Sequence, residues 1–228
     1  MDKIAIIVAA GSGTRMGSSV PKQFLPLAGK AILLHSVEAF IGACEDIRII
    51  LVLPQDQTDY GTALLAQQPY SGQVTITAGG NSRFESVARG LARIPDDCIV
   101  FVHDGVRCLV TAALIQRCYQ QALITGSAIP ACPATDSMRI IEGNEARRRS
   151  RVIDREYIRL IQTPQTFKSS LLKKAFEQPY QPGFTDEASV LEAMGQEVTL
   201  VEGEAENIKI TRQVDLIIAE AILAKRKK

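Results

Sequence analysis

Short runs of apolar, mostly β-branched residues recur along the chain and predict a series of buried strands. Several of these runs are apolar at both odd and even positions, which is typical of strands covered on both faces of a sheet. Five such runs cover Ile4 to Val8, Ile47 to Val52, Val74 to Ala78, Cys98 to Val102 and Ala128 to Ala131.

Between the strand-like runs, apolar residues recur at the spacing of an amphipathic helix. Three segments have this spacing, and their apolar positions are Ile32, Leu33, Val37 and Phe40, then Phe84, Val87, Leu91 and Ile94, and then Leu114, Ile115, Cys118, Tyr119 and Ala122. A last helix is predicted to open near Thr211, a residue type favoured at helix N-caps. The alternation predicts one three-layer α/β domain over residues 1–228, with a mostly parallel central sheet.

The segment from Ser137 to Arg155 breaks this alternation. It is too polar for the core, has turn residues at Glu142-Gly143-Asn144, and carries the basic run Arg147-Arg148-Arg149-Ser150-Arg151. These features predict a β-hairpin arm over residues 137–155, which projects into solvent or packs on a partner chain. We interpret the basic run as a solvated or phosphate-facing edge rather than a nucleic-acid surface.

The composition narrows the class of protein. The 26 Lys and Arg residues nearly balance 25 Asp and Glu residues, so the clustered basic excess of nucleic-acid-binding proteins is missing. No apolar run approaches the roughly 20 residues of a membrane helix, and the apolar start is too short for a signal peptide. Five cysteines without a Cys-x-x-Cys pair indicate reduced thiols rather than a zinc site. We therefore expect a cytoplasmic protein, with neither nucleic acid nor a membrane as its partner.

A glycine-rich segment follows the first predicted strand. It reads Ala9-Ala10-Gly11-Ser12-Gly13-Thr14-Arg15-Met16-Gly17, and Pro21-Lys22-Gln23 comes after it. Glycines after a strand let backbone N–H groups approach an anion, and two cations flank the bend where a triphosphate would lie. A Rossmann dinucleotide site requires an acid at the end of a second strand, and a Walker loop requires Gly-Lys-Ser/Thr. Neither feature is present, so the segment predicts a phosphate-binding loop of another kind.

Further strings follow this loop in a fixed order over nearly the whole chain. They are Gly79-Gly80-x-x-Arg83-x-x-Ser86-Val87, Val102-His103-Asp104 with Arg107, Asp136-Ser137-Met138, Asp154-Arg155, Thr163-Pro164-Gln165, Thr185-Asp186-Glu187-Ala188-Ser189 and Asn207-Ile208-Lys209-Ile210-Thr211. Each string is a weak signal alone, but their shared order and spacing are specific. Together with the opening loop, they resemble the 2-C-methyl-D-erythritol 4-phosphate cytidylyltransferases of the non-mevalonate isoprenoid pathway.

The resemblance implies a fold and a reaction. The fold is a three-layer, Rossmann-like nucleotidyltransferase fold with a protruding β-arm. The reaction transfers CMP from CTP to 2-C-methyl-D-erythritol 4-phosphate and gives 4-diphosphocytidyl-2-C-methyl-D-erythritol and pyrophosphate. The attacking phosphate monoester is largely a dianion at neutral pH, because its second pKa is about 6. Catalysis therefore needs no general base and depends on charge stabilisation.

The resemblance also implies residue roles. Arg15 and Lys22 match transition-state stabilisers, Arg155 and Lys209 match residues that position the acceptor phosphate, and Asp104 lies near Mg²⁺ or another divalent cation. The residue matching Arg155 acts in the neighbouring subunit's site, which implies a homodimer formed through the arm. The implied CTP-binding residues are Ala9, Ala10, Gly11, Gly13, Arg15, Lys22, Gly80, Asn81, Ser86 and Gly105. The implied acceptor-binding residues are Asp104, Arg107, Ser137, Arg155, Thr163, Thr185 and Lys209.

The chain departs from the family pattern at a few positions, and two alternative functions stay open. The family's usual His-Asp-Ala-Ala-Arg-Pro reads His103-Asp104-Gly105-Val106-Arg107-Cys108 here, Asn81 replaces a common acid, and Ser137 replaces a common threonine. One alternative is a ribitol-5-phosphate cytidylyltransferase, which shares the fold and the CTP loops. The other is a non-catalytic nucleotide-binding protein, against which the retention of all four cations argues.

Overall fold

A mixed eight-stranded sheet lies at the centre of the computed structural model, which describes residues 1–11, 20–143 and 148–226. Its strands are β1 (Asp2–Val8), β4 (Arg48–Leu53), β5 (Val74–Ala78), β6 (Cys98–Asp104), β7 (Ser127–Pro133), β10 (Arg159–Ile161), β11 (Gln165–Lys168) and β12 (Leu200–Glu202). The strand order is β10-β7-β11-β6-β1-β4-β5, with β12 beside β7. The pairs β1–β4, β1–β6, β4–β5 and β7–β12 are parallel. The predicted, mostly parallel sheet is therefore confirmed.

Helices cover both faces of the sheet and complete the three layers. They are α1 (Ile32–Ala43), α2 (Thr58–Ala66), α3 (Arg83–Leu91), α4 (Ala112–Thr125), α5 (Ser169–Ala175), α6 (Glu187–Ala193) and α7 (Gln213–Arg226). Helices α1 and α4 pack on one face in a core with Phe40 and Phe101, whereas α3, α5 and α6 pack on the other with Phe167. None of the helices within the described ranges combines the length and the apolar character that a membrane span requires.

The five predicted strands are present, but two features differ from the sequence-based expectation. Strand β11 lies antiparallel between β6 and β7, although its four residues gave no strand signal of their own. The last helix begins at Gln213, near Thr211 as predicted, but Thr211 does not have the predicted capping role. The backbone N–H and the hydroxyl of Thr211 both donate to Asp215 Oδ2, at 2.7 and 2.9 Å, so Thr211 is a donor here and not the predicted capping acceptor.

The arm is a two-stranded antiparallel hairpin of β8 (Met138–Glu142) and β9 (Arg149–Ile153). Met138 lies opposite Ile153, and Glu142 lies opposite Arg149. Residues 144–147, on which part of the predicted turn and of the basic run falls, lie outside the described residues. A smaller hairpin of β2 (Pro26–Leu27) and β3 (Lys30–Ala31) precedes α1 and brings residues 22–24 beside the sheet.

Candidate active site

A cavity of about 440 Å³ opens at the carboxyl ends of the parallel strands. Strands β1 and β6 end side by side there, with Val8 opposite Asp104. This edge is where open α/β sheets bind their ligands, because loops diverge at the strand ends. The described residues that line the cavity are Val8, Ala9, Ala10, Gly11, Lys22, Gln23, Gly80, Asn81, Ser82, Arg83, Ser86, Asp104, Val106 and Lys209.

Most of the residues predicted for CTP line this cavity, whereas several of those predicted for the acceptor do not. Ser137, Arg155, Thr163 and Thr185 are not among the described lining residues. The residues from the prediction that do line it are Ala9, Ala10, Gly11, Lys22, Gly80, Asn81, Ser86, Asp104 and Lys209. Gly13 and Arg15 lie outside the described residues, so their predicted roles stay predictions.

The side chain of Gln23 contacts the backbone at the start of the first loop. This residue is buried, and its Nε2 donates to the Ala9 carbonyl at 2.9 Å. Its neighbour Lys22 stands on a 3-10 turn and directs Nζ to the Ile210 carbonyl at 3.3 Å. Because Ile210 directly follows Lys209, this contact brings two of the four predicted catalytic cations close together, and both line the same cavity.

The second loop, residues 79–86, is shaped by the first turn of α3. Ser82 caps the helix by accepting from the Glu85 N–H, and Ser86 Oγ accepts from the Gly80 N–H at 3.1 Å. The Asn81 N–H donates to Glu85 Oε2 at 2.8 Å. Gly79 allows this loop to approach the first one, because an added Cβ would lie 2.5 Å from Ala10 Cβ. The two loops therefore form one continuous wall.

Gly105, a departure from the family pattern, lies in a confined space after β6. Its N–H donates to the Val8 carbonyl at 2.9 Å, and its carbonyl accepts from Ser36 Oγ at 3.0 Å. A Cβ at this position would lie 3.0 Å from Ala9 Cβ and 3.1 Å from Leu33 Cδ1. Glycine therefore fits the spacing of these neighbours, and the larger neighbour Val106 lines the cavity instead.

Five charged residues meet beside the cavity, and we call them the charge cluster: Asp104, Arg83, Arg107, Lys209 and Glu187. Asp104 Oδ2 lies 2.8 Å from Lys209 Nζ and 3.7 Å from Arg107 Nε, and its Oδ1 lies 3.4 Å from Arg83 Nη2. Burial alone would raise the pKa of Asp104, but the cations, Arg83 first, outweigh it and hold that pKa well below its usual value. Asp104 is therefore a fixed anion at neutral pH.

Glu187 and Arg83 are the two members of the charge cluster to which the sequence analysis assigned no role. Glu187 is 1% exposed at the start of α6, and its carboxylate pairs with both terminal nitrogens of Arg83, with Oε2 3.0 Å from Nη2. Burial raises the pKa of Glu187, and Arg83 opposes that rise. The strings around residues 83 and 187 were part of the family resemblance, but nothing in the sequence indicates that these two side chains meet.

The hydroxyl of Thr163 is engaged at the end of β6. His103 Nε2 faces the Arg107 carbonyl at 3.2 Å, so this nitrogen must carry the proton and donate. His103 Nδ1 then accepts from the Thr163 hydroxyl at 3.0 Å, and Thr163 Oγ1 accepts from the Asp104 N–H at 3.1 Å. Burial lowers the pKa of His103 to about 3, so the ring is neutral.

The remaining acceptor residues lie at the surface, except Arg107, which is part of the charge cluster. Arg155 is exposed on a 3-10 turn after the arm and donates to the Thr135 carbonyl. Ser137 and Thr185 are exposed as well. Arg107 donates to the carbonyls of Asn207 and Ile161, at 2.9 and 3.2 Å. None of these side chains is among the described lining of the cavity, and their predicted roles stay predictions.

Comparisons with known proteins identify similar sequences and folds over nearly the full chain. Residues 3–225 match the family described as IspD, 2-C-methyl-D-erythritol 4-phosphate cytidylyltransferase. A protein of that name from Bacteroides fragilis is 44% identical over 223 residues, which cover 98% of this chain and 100% of the relative. The 4-diphosphocytidyl-2C-methyl-D-erythritol synthase of Anaerococcus prevotii superposes with a TM-score of 0.81 at 28% identity and 98% coverage of both chains. The enzyme of Thermus thermophilus gives a TM-score of 0.75 at 32% identity, covering 98% of this chain and 100% of the other.

Proposed function

The chain belongs to the 2-C-methyl-D-erythritol 4-phosphate cytidylyltransferase family, and we propose that its cavity carries out that reaction. The acceptor phosphate attacks the α-phosphorus of CTP, a new phosphoanhydride bond forms, and pyrophosphate leaves. The observation that carries the proposal is the cavity itself. It is lined by the two loops that follow β1 and β5 and by two lysines, Lys22 and Lys209.

The titratable groups of the cavity suit an acceptor that arrives already ionised. Three cations hold Asp104 as an anion, which leaves it a poor proton acceptor at neutral pH. His103 is buried, and both of its ring nitrogens are engaged. Neither group is placed to act as a general base. A phosphate dianion needs none, so the demand on the protein is to orient two polyanions and stabilise negative charge.

We assign the cations to the two substrates as the family resemblance suggests. Lys22 and Arg15 would stabilise the charge that develops on the α-phosphate oxygens. Lys209 would leave its ion pair with Asp104 to hold the acceptor phosphate, and Arg155 would grip that phosphate from a second chain. Arginine suits the latter task because its planar fork donates two parallel hydrogen bonds to phosphate oxygens.

The donor set of the cavity fits Mg²⁺ as the metal. Asp104 offers a hard carboxylate oxygen, and no group of three or more His, Cys, Asp or Glu side chains is arranged for a metal anywhere in the described ranges. Mg²⁺ is commonly bound by one or two carboxylates together with substrate phosphates, so one carboxylate suffices. When bound, Mg²⁺ would neutralise phosphate charge, and Asp104 would hold it at the end of β6.

We also propose that the active form is a homodimer joined through the arm. Arg155 lies outside the described lining of its own chain's cavity, so a role in the reaction requires a second cavity. The arm exposes Ile141 and Val152, at 60% and 69%, and Tyr157 beside it is 83% exposed. Such side chains would be covered by a partner chain. A cytoplasmic location stays a prediction.

The reaction is tested by pyrophosphate release from CTP and Mg²⁺ with three acceptor conditions. We expect release with 2-C-methyl-D-erythritol 4-phosphate, and none with ribitol 5-phosphate or without an acceptor. Release only with ribitol 5-phosphate would keep the chemistry and overturn the acceptor. A folded protein that binds CTP but releases no pyrophosphate with either acceptor would instead be a non-catalytic nucleotide-binding protein.

A further inference from the structure

Two contacts join the first turn of α3 to the segment that leads into α6. Arg83 pairs with Glu187, and the next residue, Phe84, stacks on Phe184 with ring centroids 5.6 Å apart. Phe84 also stacks on Phe176, at 4.5 Å. The wall that carries the second loop is therefore attached to the segment that carries Thr185, and the chemistry proposed above uses neither contact.

Contacts of the neighbouring residues fix the backbone of Glu187 independently of Arg83. Asp186 caps α6 by accepting from the Ser189 N–H, in a reciprocal capping box. Gln165 on β11 donates to Asp186 Oδ2 at 2.8 Å and accepts from the Ala188 N–H at 2.9 Å. The first turn of α6 is thus tied to the sheet on both sides of Glu187. Its carboxylate therefore has a defined position from which to orient the Arg83 guanidinium.

Arg83 lies between the two carboxylates of the charge cluster. One edge of its guanidinium contacts Glu187, and the same Nη2 atom reaches Asp104 Oδ1 at 3.4 Å. Glu187 does not appear in the described lining of the cavity, whereas Arg83 and Asp104 do. A paired, charge-assisted contact of this kind fixes the plane as well as the position of a guanidinium. Any influence of Glu187 on the substrates must therefore pass through Arg83.

We propose that Glu187 is a positioning residue, which holds Arg83 so that Asp104 keeps its carboxylate oriented between Arg83 and Lys209. The proposal rests on the proposed function, because it assumes that Asp104 acts on the bound substrates or their metal. In the intact charge cluster, the carboxylates of Asp104 and Glu187 together face three cations. Without the Glu187 charge, Asp104 would face the three cations alone. Arg83 would then turn fully onto Asp104 and withdraw carboxylate oxygen from the cavity.

The test is a kinetic cycle built from Glu187→Gln, Asp104→Asn and the double variant, with Glu192→Gln as a control. Glutamine keeps the volume of Glu187 and removes its charge, and Glu192 is an exposed glutamate on the same helix. We expect Glu187→Gln to lower kcat about 10- to 100-fold, the range found when residues that orient a metal-binding carboxylate are changed. The KM for CTP should stay nearly constant, because Ser82 and Ser86 hold the second loop independently. Glu192→Gln should match the wild type.

The double variant separates positioning from a merely structural role. If Glu187 acts through Asp104, adding Glu187→Gln to Asp104→Asn should cost almost no further activity. Losses that multiply in the double variant, or wild-type kinetics in Glu187→Gln, would overturn the proposal. If Glu187→Gln does not fold, Glu187→Asp replaces it in the cycle, because aspartate keeps the charge. Glu187→Asp should then retain more activity than Arg83→Lys, which loses the forked guanidinium. The reverse order of activities would also overturn the proposal. Wild-type turnover in the same assay tests the proposed function separately.

Discussion

The wall of the cavity and the arm are built in opposite ways. At and beside the wall, His103, Asp104, Glu187 and Asn207 are all buried, and each bonds to a residue distant in sequence. In the arm, the pair between Glu142 and Arg151 joins side chains that are 56% and 60% exposed. An exposed pair of this kind contributes about 0–1 kcal/mol to stability, so the arm gains little from its own chain.

This difference indicates how one chain divides its catalytic groups. Lys22 and Lys209 lie on the rigid wall, where contacts to Ile210 and Asp104 fix them before substrate arrives. Arg155 follows the arm, where its side chain donates to the Thr135 carbonyl. Its position in the proposed dimer therefore depends on how the partner chain packs on the arm. We infer that the wall sets the CTP side of the reaction by itself, whereas the acceptor side needs an assembled dimer.

Removing Lys22 from the wall should have the largest effect. We expect Lys22→Ala to lower kcat by about 10²- to 10³-fold, the cost of losing one donor to a developing oxyanion. Its free energy of unfolding should change little, because the side chain lies at the cavity and not in the core. Steady-state pyrophosphate release and urea unfolding measure the two quantities. Lys225→Ala, on the exposed end of α7, is the charge-matched control, and equal activity of the two variants would contradict the assignment.

Mixing two inactive variants tests whether Arg155 acts in the cavity of a partner chain. Arg155→Ala and Lys22→Ala should each be inactive alone if both residues are needed. After dissociation and reassociation in equal amounts, about a quarter of the wild-type activity should return, because half of the dimers are mixed and each holds one intact site. A monomeric protein by light scattering, or a mixture as inactive as its components, would count against a shared site.

The same contrast separates what could be predicted from the sequence from what could not. The buried strands β1, β4, β5, β6 and β7 carried strong local patterns, and each was found within a few residues of its predicted bounds. Strand β11 has no such pattern, because a four-residue strand inserted between β6 and β7 is specified by its neighbours. Local periodicity therefore gave the layers, but tertiary pairing decided the antiparallel insertion.

The candidate site divides along a similar line. The first loop, the second loop and Lys209 were predicted from strings of adjacent residues, and the described parts of them line one cavity. The pairing of Arg83 with Glu187 spans 104 residues, and its physical basis is burial, which no local string reports. The partners of the Thr163 hydroxyl were likewise not predictable from the sequence, which suggested a substrate ligand. In the folded chain it bonds to His103 and to the Asp104 N–H, and its predicted acceptor role stays a prediction.

The smallest expected effect concerns the pH dependence of stability, which should report on the wall. Burial lowers the pKa of His103 to about 3, below the value of about 6.5 for an unfolded histidine. Between these values the unfolded chain binds the additional proton, so His103 should reduce stability as pH falls from about 6.5 towards 3, by at most about 1.4 kcal/mol per pH unit.

His103→Gln keeps a donor for the Arg107 carbonyl and an acceptor for Thr163 but cannot titrate. Urea unfolding of both proteins at pH 7.5, 6.5, 5.5 and 4.5 should give free energies whose difference is constant above pH 7 and shifts in favour of the variant as the pH falls below about 6.5. Parallel curves over the whole range would mean that His103 is not the buried neutral group that its contacts with Arg107 and Thr163 require.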